Sequence, residues 1–204
     1  MNNPGLGITS ANYYDQSLSG FNAYEVYNQI ANTSDPTADY IRNADLITLA
    51  VGANDIMDAA SRSMGGLDKY DIDWSVATAG LNSFEDYWPR IMDQIESLNP
   101  DATVIVMTVY NPYHKDENIY SQVDSYFTND GTIDFDNDGS MDLGLNDIIN
   151  NTDTTLDYRV ADVYSAFNNH SNMDSLTGFY NSFCDPHPNQ NGQDLIFDLQ
   201  YGLY

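Results

Sequence analysis

Residues 45–56, "DLITLAVGANDI", decide the fold. The stretch 45–51 reads as one apolar run of strand length that stops at Gly52, the pattern of a parallel strand buried on both faces. A stronger, β-branched run of the same kind, "ATVIVMTV", occupies 102–109. Between them the spacing of Trp74, Ala77, Leu81, Phe84, Trp88, Ile91, Ile95 and Leu98 predicts an amphipathic helix over 74–98. Pro89 is expected to kink that helix or divide it in two.

Working outward, "YRVADV" (158–163) reads as a weaker third strand and "GQDLIFDLQYGL" (192–203) as a closing helix. Upstream, "NYYDQSL" (12–18) is short and aromatic-rich, the composition of a strand. Asn22 and Glu25 have capping-box spacing, so a helix is expected through "AYEVYNQIA" (23–31). Strand, helix, strand and helix at these intervals define an α/β domain with a parallel sheet, the kind of sheet that binds ligands beyond the carboxyl ends of its strands. The 204 residues fit one domain, 1–204, with a core of ordinary size.

Composition removes several function classes. Against 31 Asp+Glu there are 6 Lys+Arg, a net charge of −25. Nucleic-acid binding needs a basic footprint, and an anionic membrane surface repels such a chain. No stretch approaches the roughly 20 apolar residues of a membrane span. The opening "MNNPGLGITS" has neither the basic nor the apolar region of a signal peptide. The acidic, lysine-poor balance suits a secreted or cell-surface protein. One cysteine makes no internal disulfide.

Candidate chemistry gathers at "FCDPHPNQNG" (183–192). His187, one of three histidines, lies between two prolines with Asp185 two positions before it. This is the composition of an imidazole held for proton transfer with a carboxylate to orient it; the plain alternative is a histidine in a surface turn. "VGANDI" directly follows the first strong strand, where catalytic groups collect. Asn54 and Asp55 also suit a helix N-terminus there.

Taken with "LSGFNA" (18–23), these segments resemble the SGNH hydrolases, also called the GDSL lipase/esterase family. Three of that family's four marker blocks occur in order, from about residue 12 to the end. The resemblance implies a three-layer α/β/α flavodoxin-like domain cleaving carboxylic esters through a serine acyl-enzyme. It implies that the Gly20 backbone N–H and the Asn54 side-chain amide form the oxyanion hole. It also implies that His187 is the general base and Asp185 its orienting partner. Many members place that aspartate three residues before the histidine, where this chain has Cys184.

The family's nucleophile is the serine of a Gly-Asp-Ser turn after a first strand, and this sequence contains no Gly-Asp-Ser. Ser10, Ser17 and Ser19 are the serines upstream of Gly20, and none follows an apolar strand with a tight glycine turn. The expectation is a chain N-terminally truncated by one strand and one helix, with the nucleophile absent. Removing such a nucleophile costs about 10⁶-fold in turnover, so the chain itself is expected to be nearly inactive.

Residues 130–147 form a calcium-loop-like insertion. "DFDNDGSMD" places Asp134, Asp136, Asp138 and Asp142 at positions one, three, five and nine of a calcium loop, with Gly139 at six and the Ser140 carbonyl at seven. Helix-like "ENIYSQVDSYF" and "LNDIINN" flank it. Position twelve is Leu145, so Asp147 or water would have to complete the set. The alternative is a solvated acidic loop. Catalysis is expected to need no cofactor, and a bound Ca²⁺ would be structural.

His114 reads as a rim residue at the same end of the sheet, His170 as loop, and Cys184 as a small buried side chain. The 16 tyrosines fit a core as well as a sugar- or acyl-binding cleft. The expected partner is a small-molecule, lipid or acylated-carbohydrate ester. The competing reading is a non-catalytic, calcium-stabilised binding module or pseudoenzyme on the same fold.

Overall fold

The computed structural model describes residues 12–63, 66–152, 154–181 and 184–204. In chain order the first elements are α1 (Ala23–Ala31), α2 (Thr37–Arg42), β1 (Leu46–Leu49) and α3 (Ala53–Met57). A hairpin of β2 (Ala60–Ser63) and β3 (Gly66–Ile72) follows, then α4 (Trp74–Leu98), β4 (Thr103–Met107), α5 (Tyr120–Phe127) and α6 (Leu145–Asn151). The chain ends with β5 (Tyr158–Ala161), α7 (Val163–Asn168), a 3₁₀ turn at Met173–Ser175, β6 (Thr177–Gly178), β7 (Asp185–Pro188) and α8 (Gln190–Tyr201).

The main sheet runs β1-β4-β5, both pairings parallel. Successive side chains of a strand point to opposite faces, and the sequence of β4 exploits this. Val104 and Val106 pack with α4 and α6, through Phe84, Trp88, Ile91 and Leu145. Ile105 packs the other way, with Val163, Phe167 and Ile196 of α7 and α8. The result is a three-layer α/β/α domain, as the alternation of strands and helices requires.

Several local expectations are met. Asn22 accepts from the Glu25 N–H and Glu25 reaches back to the Asn22 N–H, both at 3.0 Å, so the capping box starts α1. Helix α4, by contrast, is neither divided nor interrupted at Pro89. Its buried stripe, Ala77, Leu81, Phe84, Trp88, Ile91, Met92 and Ile95, runs past the proline on both sides. That burial outweighs the hydrogen bond which proline cannot donate, a loss of about 3 kcal/mol. Gly80 lets α4 cross α3 closely, since a Cβ there would lie 1.8 Å from the Asp55 carbonyl oxygen.

Residues 12–18 are not a strand; they run as irregular, mostly exposed chain into a turn at 19–20. Tyr14 stacks on Tyr40 at 4.3 Å, which uses the aromatic character of the segment without any sheet pairing. The sheet is least covered at β1. Thr48 is exposed and Leu46, Ile47 and Leu49 are half-buried, whereas Val104, Ile105 and Val106 of β4 are buried. Among the described residues β1 pairs only with β4, so its outer edge is unpaired, while on its α7/α8 side Leu46 packs against the Ile105–Phe167–Ile196 core and Thr48 is exposed.

Candidate active site

Gly52 turns the chain from β1 into α3 at φ +109°, a left-handed conformation in which a Cβ would also meet Leu145 at 2.7 Å and Phe84 at 2.9 Å. The turn delivers Asn54 and Asp55 to the carboxyl end of the sheet, and both then bind the segment that carries Gly20. Asn54 Nδ2 donates to the Phe21 carbonyl at 2.9 Å. Asp55, 4% exposed, accepts the Ala23 N–H on both carboxylate oxygens, at 3.0 and 3.2 Å. Asp55 thus satisfies the first orphan N–H of α1 rather than capping its own helix. The N-cap of α3 is Gly52, without a side-chain bond. Burial pushes the Asp55 carboxyl up to about 7; the Ala23 hydrogen bond works against this, while Asp58 and Glu25 add to it.

Gly20 sits at φ +87° in an exposed turn closed by Phe21 N–H donating to the Leu18 carbonyl at 3.3 Å. Its own N–H has no acceptor among the described residues. Asn54 spends one amide hydrogen on Phe21 and keeps the other. Two uncommitted donors therefore stand on segments hydrogen-bonded to one another.

The histidine is carried by β7. Pro188 pairs with Thr177 and Asp185 with Gly178, so two residues, Pro186 and His187, bulge out of the small β6–β7 ladder. Bulges of this kind re-aim side chains. His187 Nδ1 lies 2.6 Å from Asp185 Oδ1, and the same oxygen accepts the His187 backbone N–H at 3.0 Å. Burial raises the Asp185 carboxyl pKa, but those bonds outweigh it and hold the group below the ordinary carboxylate range. With Nδ1 committed, Nε2 is the proton acceptor, and among the described residues no hydroxyl reaches it. The Tyr110 hydroxyl, just beyond β4, donates to the Pro186 carbonyl. This bond fastens the histidine hairpin to the same carboxyl end of the sheet from which Asn54 projects.

Of the upstream serines, Ser17 donates its hydroxyl to Asp15 at 2.6 Å and Ser19 is exposed in the turn. Ser10 lies outside the described residues. Cys184 is half-buried at φ +48° rather than packed in the core. His114 stands beyond β4 as a rim residue, but a fixed one: Nε2 meets Asp174 at 2.8 Å and its ring stacks on Tyr180. Its partners come from distant sequence, so no local pattern announces the pair. The β2–β3 hairpin was equally silent, because its strands are short and polar.

In the acidic loop, oxygens of Asp134, Asp136 and Asp138 lie within 4.8 Å of one another, and Gly139 takes the sharp turn at φ +96°. Asp142 is turned to the Phe135 N–H at 2.7 Å. Leu145, at position twelve, is buried in the core. Asp147 does not replace it, because its carboxylate accepts from Thr128 Oγ1 and from the N–H groups of Asn129, Asp130 and Gly144. The first three carboxylates fit a hard cation; Asp142, Leu145 and Asp147 are engaged elsewhere.

No protein-family model and no curated protein matches the chain. Among solved structures, the crystal structure of the lipase Lip_vut3 from a goat rumen metagenome matches with TM-score 0.60 at 14% identity, over 90% of this chain and 74% of that one. The crystal structure of a carbohydrate esterase family 3 from Talaromyces cellulolyticus is similar at TM-score 0.44 and 16% identity, over 89% of this chain and 65% of that one. The first likeness places the chain in the same three-layer fold.

Proposed function

We propose that this chain is the body of a carboxylic-ester hydrolase of the SGNH/GDSL type, acting through a serine acyl-enzyme whose serine is not among the described residues. The observation that carries the reading is the His187–Asp185 pair, 2.6 Å apart, on a hairpin fastened to the carboxyl end of the sheet. In the proposed reaction His187 Nε2 takes the serine proton as the hydroxyl attacks the ester carbonyl. Gly20 N–H and the free Asn54 amide hydrogen receive the oxyanion, each donor contributing roughly 3–4 kcal/mol. His187 then returns the proton to the leaving alcohol, and Asp185 balances the transient imidazolium.

A strand paired along the open edge of β1 would bring its carboxyl end beside Gly52 and Asn54, and a serine there would complete the set. The half-exposed apolar residues of β1 support this placement. A Ca²⁺ held by Asp134, Asp136 and Asp138 would brace the loop between α5 and α6 and take no part in the reaction. The second reading, a calcium-stabilised binding module, is supported by the converging carboxylates of Asp134, Asp136 and Asp138.

Titration with acetate, a product carboxylate, tests the hydrolase reading on the chain as it stands. NMR signals of the Gly20 amide, the Asn54 side-chain amide and the His187 ring should move together with one dissociation constant. Independent movement, or none, removes the proposal.

A further inference from the structure

Next to the hairpin that carries His187 is an open cleft of about 350 Å³, between residues 113–115 beyond β4 and residues 168–174 beyond α7. His114 is its most firmly held side chain. The backbone N–H donates to Tyr180 Oη at 2.8 Å and to Glu117 Oε1 at 3.1 Å. The ring stacks on Tyr180, centroids 3.8 Å apart and 16° from parallel, and Nε2 meets Asp174 Oδ1 at 2.8 Å. Lys69 Nζ stands 3.6 Å from the centroid of that same Tyr180 ring. Yet 36% of the His114 side chain faces solvent. Fixing a surface ring so completely is the preorganisation that binding sites need and surfaces do not.

The uncommitted polar atoms of the cleft include both donors and acceptors. With Nε2 donating to Asp174, His114 Nδ1 is an acceptor, and among the described residues it has no partner. Asp174 Oδ2 is a second free acceptor. Lys115 gives one ammonium hydrogen to Asn169 Oδ1 at 3.0 Å and keeps two. The exposed side chains of Ser171 and Asn172 add groups that both donate and accept. Lys115 and Asp174 offset each other in charge, and the chain's net −25 repels anions from the rest of the surface. Donors and acceptors together, at near-zero local charge, match vicinal hydroxyl groups rather than a carboxylate or a phosphate, and Tyr113 and Met173 of the cleft wall supply apolar surface for a sugar ring.

We propose that this cleft binds a sugar ring of a neutral carbohydrate and thereby holds the alcohol part of the ester. That assignment of the sugar as the alcohol part rests on the hydrolase reading; the binding itself does not. Continuity of the chain supports it. The cleft wall at Asp174 leads through Leu176 into β6, which pairs with the His187 strand, and Asn189 N–H bonds the Leu176 carbonyl at 2.8 Å.

The experiment is calorimetry and NMR titration with unacylated, neutral β-linked xylose and glucose oligomers, with uronic-acid oligomers as the anionic comparison. Neutral oligomers should bind at millimolar or lower concentration and shift His114, Lys115 and Asn172. The exposed-site variants Lys115→Ala and Asn172→Ala should each weaken binding by about tenfold, with unchanged melting temperature. Absence of neutral-oligomer binding, preference for the uronic oligomers, or binding indifferent to both variants overturns the proposal. Neutral-oligomer binding together with a silent acetate titration keeps the sugar site and discards the hydrolase reading; acetate binding without sugar binding does the reverse.

Discussion

Asn54 Nδ2 donates to the Phe21 carbonyl at 2.9 Å, which ties the turn after β1 to the turn that carries Gly20. Two segments more than 30 positions apart are thereby set at a fixed spacing, and the Asp55–Ala23 bond next to it makes the connection a double one. Asn54→Ala removes this anchor and, with it, the proposed oxyanion donor. Stability should fall by about 1 kcal/mol in urea unfolding. In an enzyme supplied with its serine, kcat should fall about 10²–10³-fold with little change in KM.

Asp55 gives a pH signature. A buried carboxyl whose pKa is raised to about 7 binds a proton in the folded state that the unfolded chain has already released. Its contribution is therefore fully favourable below about pH 4 and declines as pH rises towards 7, by no more than about 4 kcal/mol. Asp55→Asn does not titrate and keeps one oxygen for the Ala23 N–H. The stability of Asp55→Asn minus that of the parent should rise between pH 4 and 7 and be level on either side. A difference constant with pH contradicts the buried-charge account.

Tyr110→Phe removes the hydroxyl that binds the Pro186 carbonyl and leaves the ring stacked on Phe167 at 4.3 Å. Global stability should change by about 1 kcal/mol. Amide exchange in β7 should accelerate while α4 stays protected, since only the histidine hairpin loses its fastening. Equal acceleration in both elements contradicts that local role.

The acidic loop is tested by calcium. Three converging carboxylates without a bidentate ligand at position twelve place the affinity in the range of about 10⁻⁴–10⁻³ M. At 10 mM Ca²⁺ that gives roughly 1–3 kcal/mol and a rise of several degrees in Tm, reversed by chelator. Asp134→Asn should abolish the rise. No binding heat and no response to chelator would leave a solvated acidic loop.

The parallel strands were readable because both faces of a central strand are buried: Val104, Ile105 and Val106 say so without their neighbours. Asn22 and Glu25 were readable because a capping box is local. Residues 12–18 misled because stacking of Tyr14 on Tyr40 and strand pairing call for the same aromatic residues. Pro89 does not divide α4 because local propensity is outweighed by a buried stripe of tertiary origin. The oxyanion candidates and the His187–Asp185 pair were visible as short motifs. The jobs of Asp55, Asp147 and His114 were not, because each is defined by partners tens of residues away.

Turnover of p-nitrophenyl acetate, by the chain as it stands and by the same chain given an added strand that ends in Gly-Asp-Ser, shows whether His187 serves a serine nucleophile. Background hydrolysis is expected in the first case, about 10⁶-fold below a serine hydrolase. In the second, enzymatic turnover is expected, and His187→Ala abolishes it. Full activity of the chain alone, or turnover indifferent to His187, would contradict the proposed mechanism.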